Sequence, residues 1–266
     1  MTAIDPQKIE FQINQLLEYA SQPDQFIHHL QNFLEYYQDR VYRPGLKSDL
    51  PALLTSYHVP LPLIRELEKK LSIYSKSNPE QALLLANSLW IYDYIEFKSL
   101  AISILKSTPL SYSSSKFIEI KKWITNCKNQ NILNQLSDSI LEQFLPSEPL
   151  ILINQIESWI RDNHLSLKKF GYQILRKSIE KYPFDYLPVV YKVIHPSLYE
   201  TSPWIQNEIT EIFAELAKRS PKETAYLLQN SYQSKPHPNI KRIIRKTFLF
   251  YPDDQKDELE KIRNQN

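Results

Sequence analysis

The amino-acid sequence predicts an all-α protein, a solenoid of stacked helical hairpins wound as an α–α superhelix. Three observations predict it. Only two glycines, Gly45 and Gly171, occur in 266 residues. Doubly wound folds, phosphate-cradling loops and tight β-hairpins all need positive-φ positions that glycine fills at least cost. Eighteen prolines fall mostly at the edges of apolar stretches, where a missing N–H does little harm. Between these breaks the apolar residues recur with helical period in segments of roughly 10 to 18 residues. The segments group two by two into units of roughly 35–45 residues, the length of a two-helix repeat.

Taken in order, residues 1–45 read as an N-terminal helical pair, more polar than the rest of the chain. Residues 46–266 read as the repeat array, the two forming one continuous domain. Near Val41–Pro51 the chain reads as extended, with Arg43-Pro44-Gly45-Leu46 as a turn. The clearest hairpin runs from Pro79 to about Ser107. Leu83, Leu84, Ala86, Asn87 and Trp90 lie on its first helix, and Ile95, Leu100, Ile104 and Leu105 on its second. Further pairs are expected at about 115–145, 149–182, 184–219 and 221–265. One hairpin cannot cover its own apolar face, so neighbours must stack on it. Repeats of this length and composition are HEAT-like.

Composition excludes several kinds of chemistry. Neither G-x-x-x-x-G-K nor G-x-G-x-x-G occurs, which argues against nucleotide-binding loops. The single cysteine, Cys127, rules out an internal disulfide and a Cys-rich zinc site. Lys121, Lys122 and Lys128 flank it in sequence, but a packed small hydrophobe is the preferred reading. The six histidines, His28-His29 included, lack H-x-x-x-H spacing, so no metal site is expected and no cofactor is implied. Ser111 and Ser113–Ser115 read as a helix start, not as nucleophiles. No apolar run reaches the roughly 18 residues of a membrane span, and the N-terminus carries no signal-peptide core. A cytoplasmic protein without membrane contact is expected.

Several stretches resemble the DNA alkylation repair family of HEAT-like proteins. Tyr57-His58-Val59-Pro60, followed by Leu63-Ile64-Arg65-Glu66-Leu67, is similar to the family's opening motif, a turn before an R-x-L helix. Leu85-Ala86-Asn87-Ser88-Leu89-Trp90 with Glu96, Leu100 and Ala101 resembles its LA-x-x-LW … E-x-x-x-LA hairpin. Trp159-Ile160-Arg161 with Leu167-Lys168-Lys169 is similar to a W … LRR stretch. Pro203-Trp204-Ile205 with Ala217-Lys218 and Pro221 is similar to its F-I-x-K … A-K-x-x-P segment. The match covers roughly 55–265. It implies a helical-repeat fold, DNA as partner and the removal of N3- or N7-alkylated purines.

The resemblance departs from the family where that chemistry resides. Family glycosylases carry an N-W-x-x-x-D motif, and here Asn129 falls on the Asn, Gln130 on the Trp and Asn134 on the Asp. A second family tryptophan falls on Glu211 and a third on Ser166. The basic pair is Lys168-Lys169 in place of two arginines. An alkylated purine is already a cationic leaving group, so the enzyme mainly stabilises an oxocarbenium-like sugar electrostatically. A neutral Asn cannot supply that charge, and Gln lacks the π-face that attracts a cation. The resemblance therefore implies a divergent member without the usual catalytic residues. A relocated site would draw on Asp138, one helical turn after Asn134, or on Glu211, with Trp123 or Trp204 seven residues before each family tryptophan position. The alternative places both tryptophans in the core and both carboxylates on solvated faces.

Net charge is +2, which does not by itself demand nucleic acid. The basic residues nonetheless group: Lys116, Lys121, Lys122 and Lys128 in one hairpin; Arg161, Lys168, Lys169, Arg176 and Lys177 in the next; Lys235, Lys241, Arg242, Arg245 and Lys246 near the end. Projected into one concavity, they would track a phosphate backbone. The leading expectation is double-stranded DNA gripped by Lys121, Lys122, Arg161, Lys168, Lys169, Arg242 and Arg245. Two alternatives stand beside it. One is a scaffold whose concave face and tyrosines, seventeen in all, bind a protein partner. The other is an active glycosylase with a relocated site.

Overall fold

A computed structural model describes residues 6–38, 54–181 and 186–264. The turn expected at Arg43-Pro44-Gly45-Leu46 lies outside them. The described residues form fourteen α-helices, three short 3-10 turns and no strand. None of these helices is long and apolar enough to cross a membrane. The chain divides into two compact units, residues 1–144 and 145–266.

Proline sets the helix starts. Pro23, Pro79, Pro149, Pro203, Pro221 and Pro238 each open a helix at its first position, where the fixed φ suits the helix and the absent N–H would have had no partner. Within the helices, and at Thr108 just past the end of one, buried Ser75, Thr108, Thr210, Thr224 and Thr247 donate their hydroxyls to the carbonyl four residues back. Each polar group thus enters the interior with its hydrogen bond made.

In residues 1–144, α1 (Pro6–Leu17), α3 (Leu61–Ser77), α5 (Ile95–Ser107) and α7 (Gln130–Phe144) pack side by side as one layer. The other layer is α2 (Pro23–Tyr37), α4 (Pro79–Trp90) and α6 (Ser113–Asn126). Trp90 and Trp123 stack at 4.4 Å between α4 and α6, and the Trp123 indole N–H donates to Asn87 Oδ1 at 2.9 Å. Two lysines are interior. Lys98 donates to Trp90 O at the end of α4, 2.7 Å away, with Asp93 at 3.3 Å. Lys116 is fully buried and donates to Thr108 O at the end of α5. Each, four residues into its helix, neutralises the carbonyl end of the helix before it. Lys116 is therefore not the surface cation that its sequence group suggested.

The segment before α3 is pinned by one carboxylate. Glu96 accepts from Ser56 Oγ at 2.7 Å and from the backbone N–H groups of Tyr57 and His58 at 2.9 and 3.1 Å. Thr55 pairs with the backbone at Asp93 and Ile95. His58 is held at φ 51°, a left-handed conformation that histidine tolerates better than most residues.

In residues 145–266, α9 (Leu165–Lys181), α11 (Pro203–Arg219) and α13 (Pro238–Thr247) form one layer. Helix α8 (Pro149–Arg161) packs on α9 and α10 (Leu187–Ile194), and α12 (Pro221–Ser234) packs on α11, α13 and α14 (Asp253–Asn264). Gly171 lets α9 approach α8. A Cβ there would lie 3.1 Å from Ile160 Cγ1 and 3.2 Å from both Ile160 N and Trp159 Cβ. The pair expected at 221–265 is three helices, because Pro236 and Pro238 stop the chain once and Pro252 stops it again.

Candidate nucleic-acid interface

The exposed side of the α9–α11–α13 layer is built around the first two turns of α11. Trp204, its second residue, is 71% exposed, and Lys169 Nζ from α9 stands 5.1 Å from its ring centroid. On the other flank the Arg242 guanidinium from α13 donates to Gln206 Oε1 at 2.8 Å and to Asn207 Oδ1. Both cations are thus held by neutral groups, a π-face and two amides, which fix their positions and leave their charge uncompensated. Arg245 and Lys246 are exposed on α13. Lys168 differs, since it pairs with Glu200 at 3.5 Å. Burial pushes the Glu200 carboxyl up, but the N–H groups of Ser202 and Thr201 and the ammonium of Lys168 outweigh it and hold it below the usual carboxylate range.

The α3–α5–α7 layer of residues 1–144 carries a different surface. A polar cavity of about 460 Å³ opens between Glu68 on α3, Ser99, Ser103 and Lys106 on α5, and Asn131, Asn134, Gln135, Asp138 and Glu142 on α7. Lys106 pairs with Glu142 at 2.5 Å, and Ser99 donates to Gln135 at 3.0 Å. Burial pushes the Glu68 carboxyl up, against the pull of Arg65 and Lys106. Asn134 and Asp138 line this cavity together, as their four-residue spacing requires. Gln130, exposed one turn earlier, touches Asn134 at 3.3 Å. Among the described residues, no aromatic ring lines the cavity.

The remaining sequence-predicted residues separate. Trp123 is 3% exposed and stacked on Trp90, so it is a core residue with no face for a ligand. Trp204 is on the surface, and Glu211, seven residues on, is exposed on the same side of α11. Lys121 and Lys122 are exposed on α6, in the layer that does not hold the cavity, and Lys122 pairs with Glu119 at 2.9 Å. Arg161, the last residue of α8, pairs with Glu157 one turn back. Cys127 is buried, and burial pushes its thiol up; the lysines near it in sequence do not activate it. Sequence reading missed Gln206 and Asn207 as the clamp on Arg242, since amides on a solvated helix carry no such signal.

A second concavity lies on the α10–α12 side of residues 145–266. It encloses about 1110 Å³ between Leu187, Tyr191, His195, Tyr199, Tyr226 and Leu227, with Asn230 and Gln255 among its polar lining. The Tyr191 hydroxyl is engaged with Thr224 at 2.8 Å, so this ring offers its faces to the groove more than its polar tip.

Searches of curated proteins and of solved structures returned no match. The model of one protein family, described as DNA alkylation repair enzyme, matches residues 30–246. That span takes in the Glu96 anchor, the cavity around Asn134 and Asp138, and the α9–α11–α13 surface. The chain belongs to the DNA alkylation repair enzyme family.

Proposed function

We propose that the protein binds duplex DNA through the α9–α11–α13 surface, with Lys169, Arg242 and Arg245 against the phosphates, and without the family's usual base-excision chemistry. The observation that carries this reading is the neutral clamping of Lys169 and Arg242. Cations fixed by a ring and by amides keep a full charge for a phosphate. Lys121, Lys122, Arg161 and Lys168 are left out of this set: Lys122, Arg161 and Lys168 already have carboxylate partners, and Lys121 lies on α6, which is not part of that layer. Against excision, Asn134 is neutral, and among the described residues the cavity that it shares with Asp138 has no ring to hold a cationic base. Incubation with methylated duplex DNA tests both halves. Binding at low salt with no release of 7-methylguanine is the expected result. Release that an Asp138→Asn variant loses would restore catalysis at a relocated carboxylate.

One observation favours a second reading, that of a protein-interaction scaffold. The tyrosine-lined groove between α10 and α12 has the size and the aromatic walls of a peptide-binding cleft. A partner that survives nuclease treatment, and that a Leu227→Asp variant no longer retains, would establish it.

A further inference from the structure

Resting on the DNA-binding reading, we infer that Trp204 is a stacking platform for a single unpaired nucleobase, so that the α9–α11–α13 surface prefers DNA carrying a bulge or gap over intact duplex. The four tryptophans divide sharply. Trp90, Trp123 and Trp159 are 6%, 3% and 1% exposed, and Trp204 is 71% exposed. A tryptophan this open forgoes the apolar burial that the other three obtain. It also stands among charged and polar side chains instead of in an apolar patch, with two cations nearest its end of α11 and Glu208 and Glu211 further along the same face. Lys169 takes one face of its ring, and Arg242 is fixed to Asn207, one turn along the same side of α11. The indole is therefore held between two positions suited to phosphates, with its other face open to solvent.

Intact duplex DNA presents phosphates, sugars and base edges at its surface, and no base face. The only π-surface that it can bring against an indole is that of a base outside the stack. Stacking of that kind is sequence-tolerant, because every base has such a face. The same surface can then carry two contributions: phosphate attraction common to all DNA, and an added one wherever a base is unpaired.

Two measurements on the full chain at one fixed salt concentration decide the matter. The probes are an intact duplex and the same duplex with one unpaired adenine or one unpaired thymine. Binding to the bulged probes is expected to be tighter by roughly 5- to 150-fold, the range of one base–aromatic stack. In the Trp204→Ala variant that preference disappears, and because Lys169 is released from the ring as well, affinity falls for bulged and intact probes until the two bind alike. Acrylamide quenching reports the contact directly, since Trp204 is the one exposed tryptophan among the four. Bulged DNA should shield it and intact duplex should not. Equal affinity for all probes, or a preference that persists in Trp204→Ala, overturns the stacking role and leaves phosphate binding standing. Absence of binding to any probe at low salt overturns the DNA-binding reading beneath it.

Discussion

Residues 1–144 and the α9–α11–α13 layer of residues 145–266 differ in how some of their surface cations are held. In the first unit Lys70, Lys106 and Lys122 each pair with a carboxylate, and Lys98 and Lys116 are drawn inside to helix-end carbonyls. In the second unit Arg161, Lys168 and Lys218 likewise pair with carboxylates, but Lys169 and Lys235 lie over Trp204 and Tyr199, and Arg242 rests on two amides. A lysine paired with a carboxylate is close to neutral as seen from a phosphate a few ångströms further out. A lysine on a ring is not. The units share a two-layer helical construction, so the fold alone does not decide which surface attracts an anion. That is decided by the partner each cation is given.

The largest effect expected from this contrast concerns Lys116. Burial lowers its ammonium from the ordinary value of 10.5 to about 7. Below about pH 7 the group is charged in both folded and unfolded chains, and the cost of burying it is carried in full. Between about pH 7 and 10 the unfolded chain still holds the proton that the folded chain has released, so stability rises with pH, by an amount on the order of a few kcal/mol. Urea unfolding at pH 6 and pH 9 should show the rise. A Lys116→Met variant should flatten it without loss at pH 6, because Gln143 still donates to Thr108 O at 2.9 Å.

A smaller effect belongs to the second unit. Gly171→Ala gains helix propensity of about 1 kcal/mol but drives a Cβ against the Ile160 backbone. Overpacking of that kind costs about 1–3 kcal/mol, so the net change expected in thermal unfolding runs from about zero to a loss of roughly 2 kcal/mol. A gain in stability would mean that α8 and α9 are free to move apart. The smallest effect is at Lys122→Ala. Its exposed pair with Glu119 contributes within about 0.5 kcal/mol, and a larger loss would show that the cations of residues 1–144 are structural even at the surface.

Much of the fold is legible in the sequence because proline and apolar period act locally. Pro23, Pro79, Pro149, Pro203, Pro221 and Pro238 announce their helices directly, and Ile and Leu spacing supplies the buried faces. The third C-terminal helix is legible too, in Pro252, although grouping the segments in pairs passes over it. The two tryptophans considered for chemistry are separable by the same local logic. Trp123 shares its helix face with Ile120 and Cys127, an apolar stripe, whereas Trp204 shares its face with Asn207, Glu208 and Glu211. The interior lysines are not legible by charge. Their signal is placement, Lys98 and Lys116 each standing at the fourth position of its helix beside a phenylalanine, Phe97 or Phe117. What no local pattern gives is the meeting of Lys169 with Trp204 or of Arg242 with Asn207. Each pair is brought together by one helix stacking on the next, and at 35 residues' separation it leaves no periodic trace.

The most direct test of the central claim is a salt titration of duplex DNA binding with two matched double variants. The slope of log affinity against log salt counts the phosphates engaged, at about 0.9 per contact in B-form DNA. Lys169→Glu with Arg242→Glu is expected to lower that slope by about two contacts and to weaken binding on the order of a hundredfold. Lys121→Glu with Lys122→Glu should leave the slope unchanged. The reverse outcome, a slope set by α6 and indifferent to Lys169 and Arg242, would contradict the claim that the neutrally clamped cations of residues 145–266 are what meets the DNA.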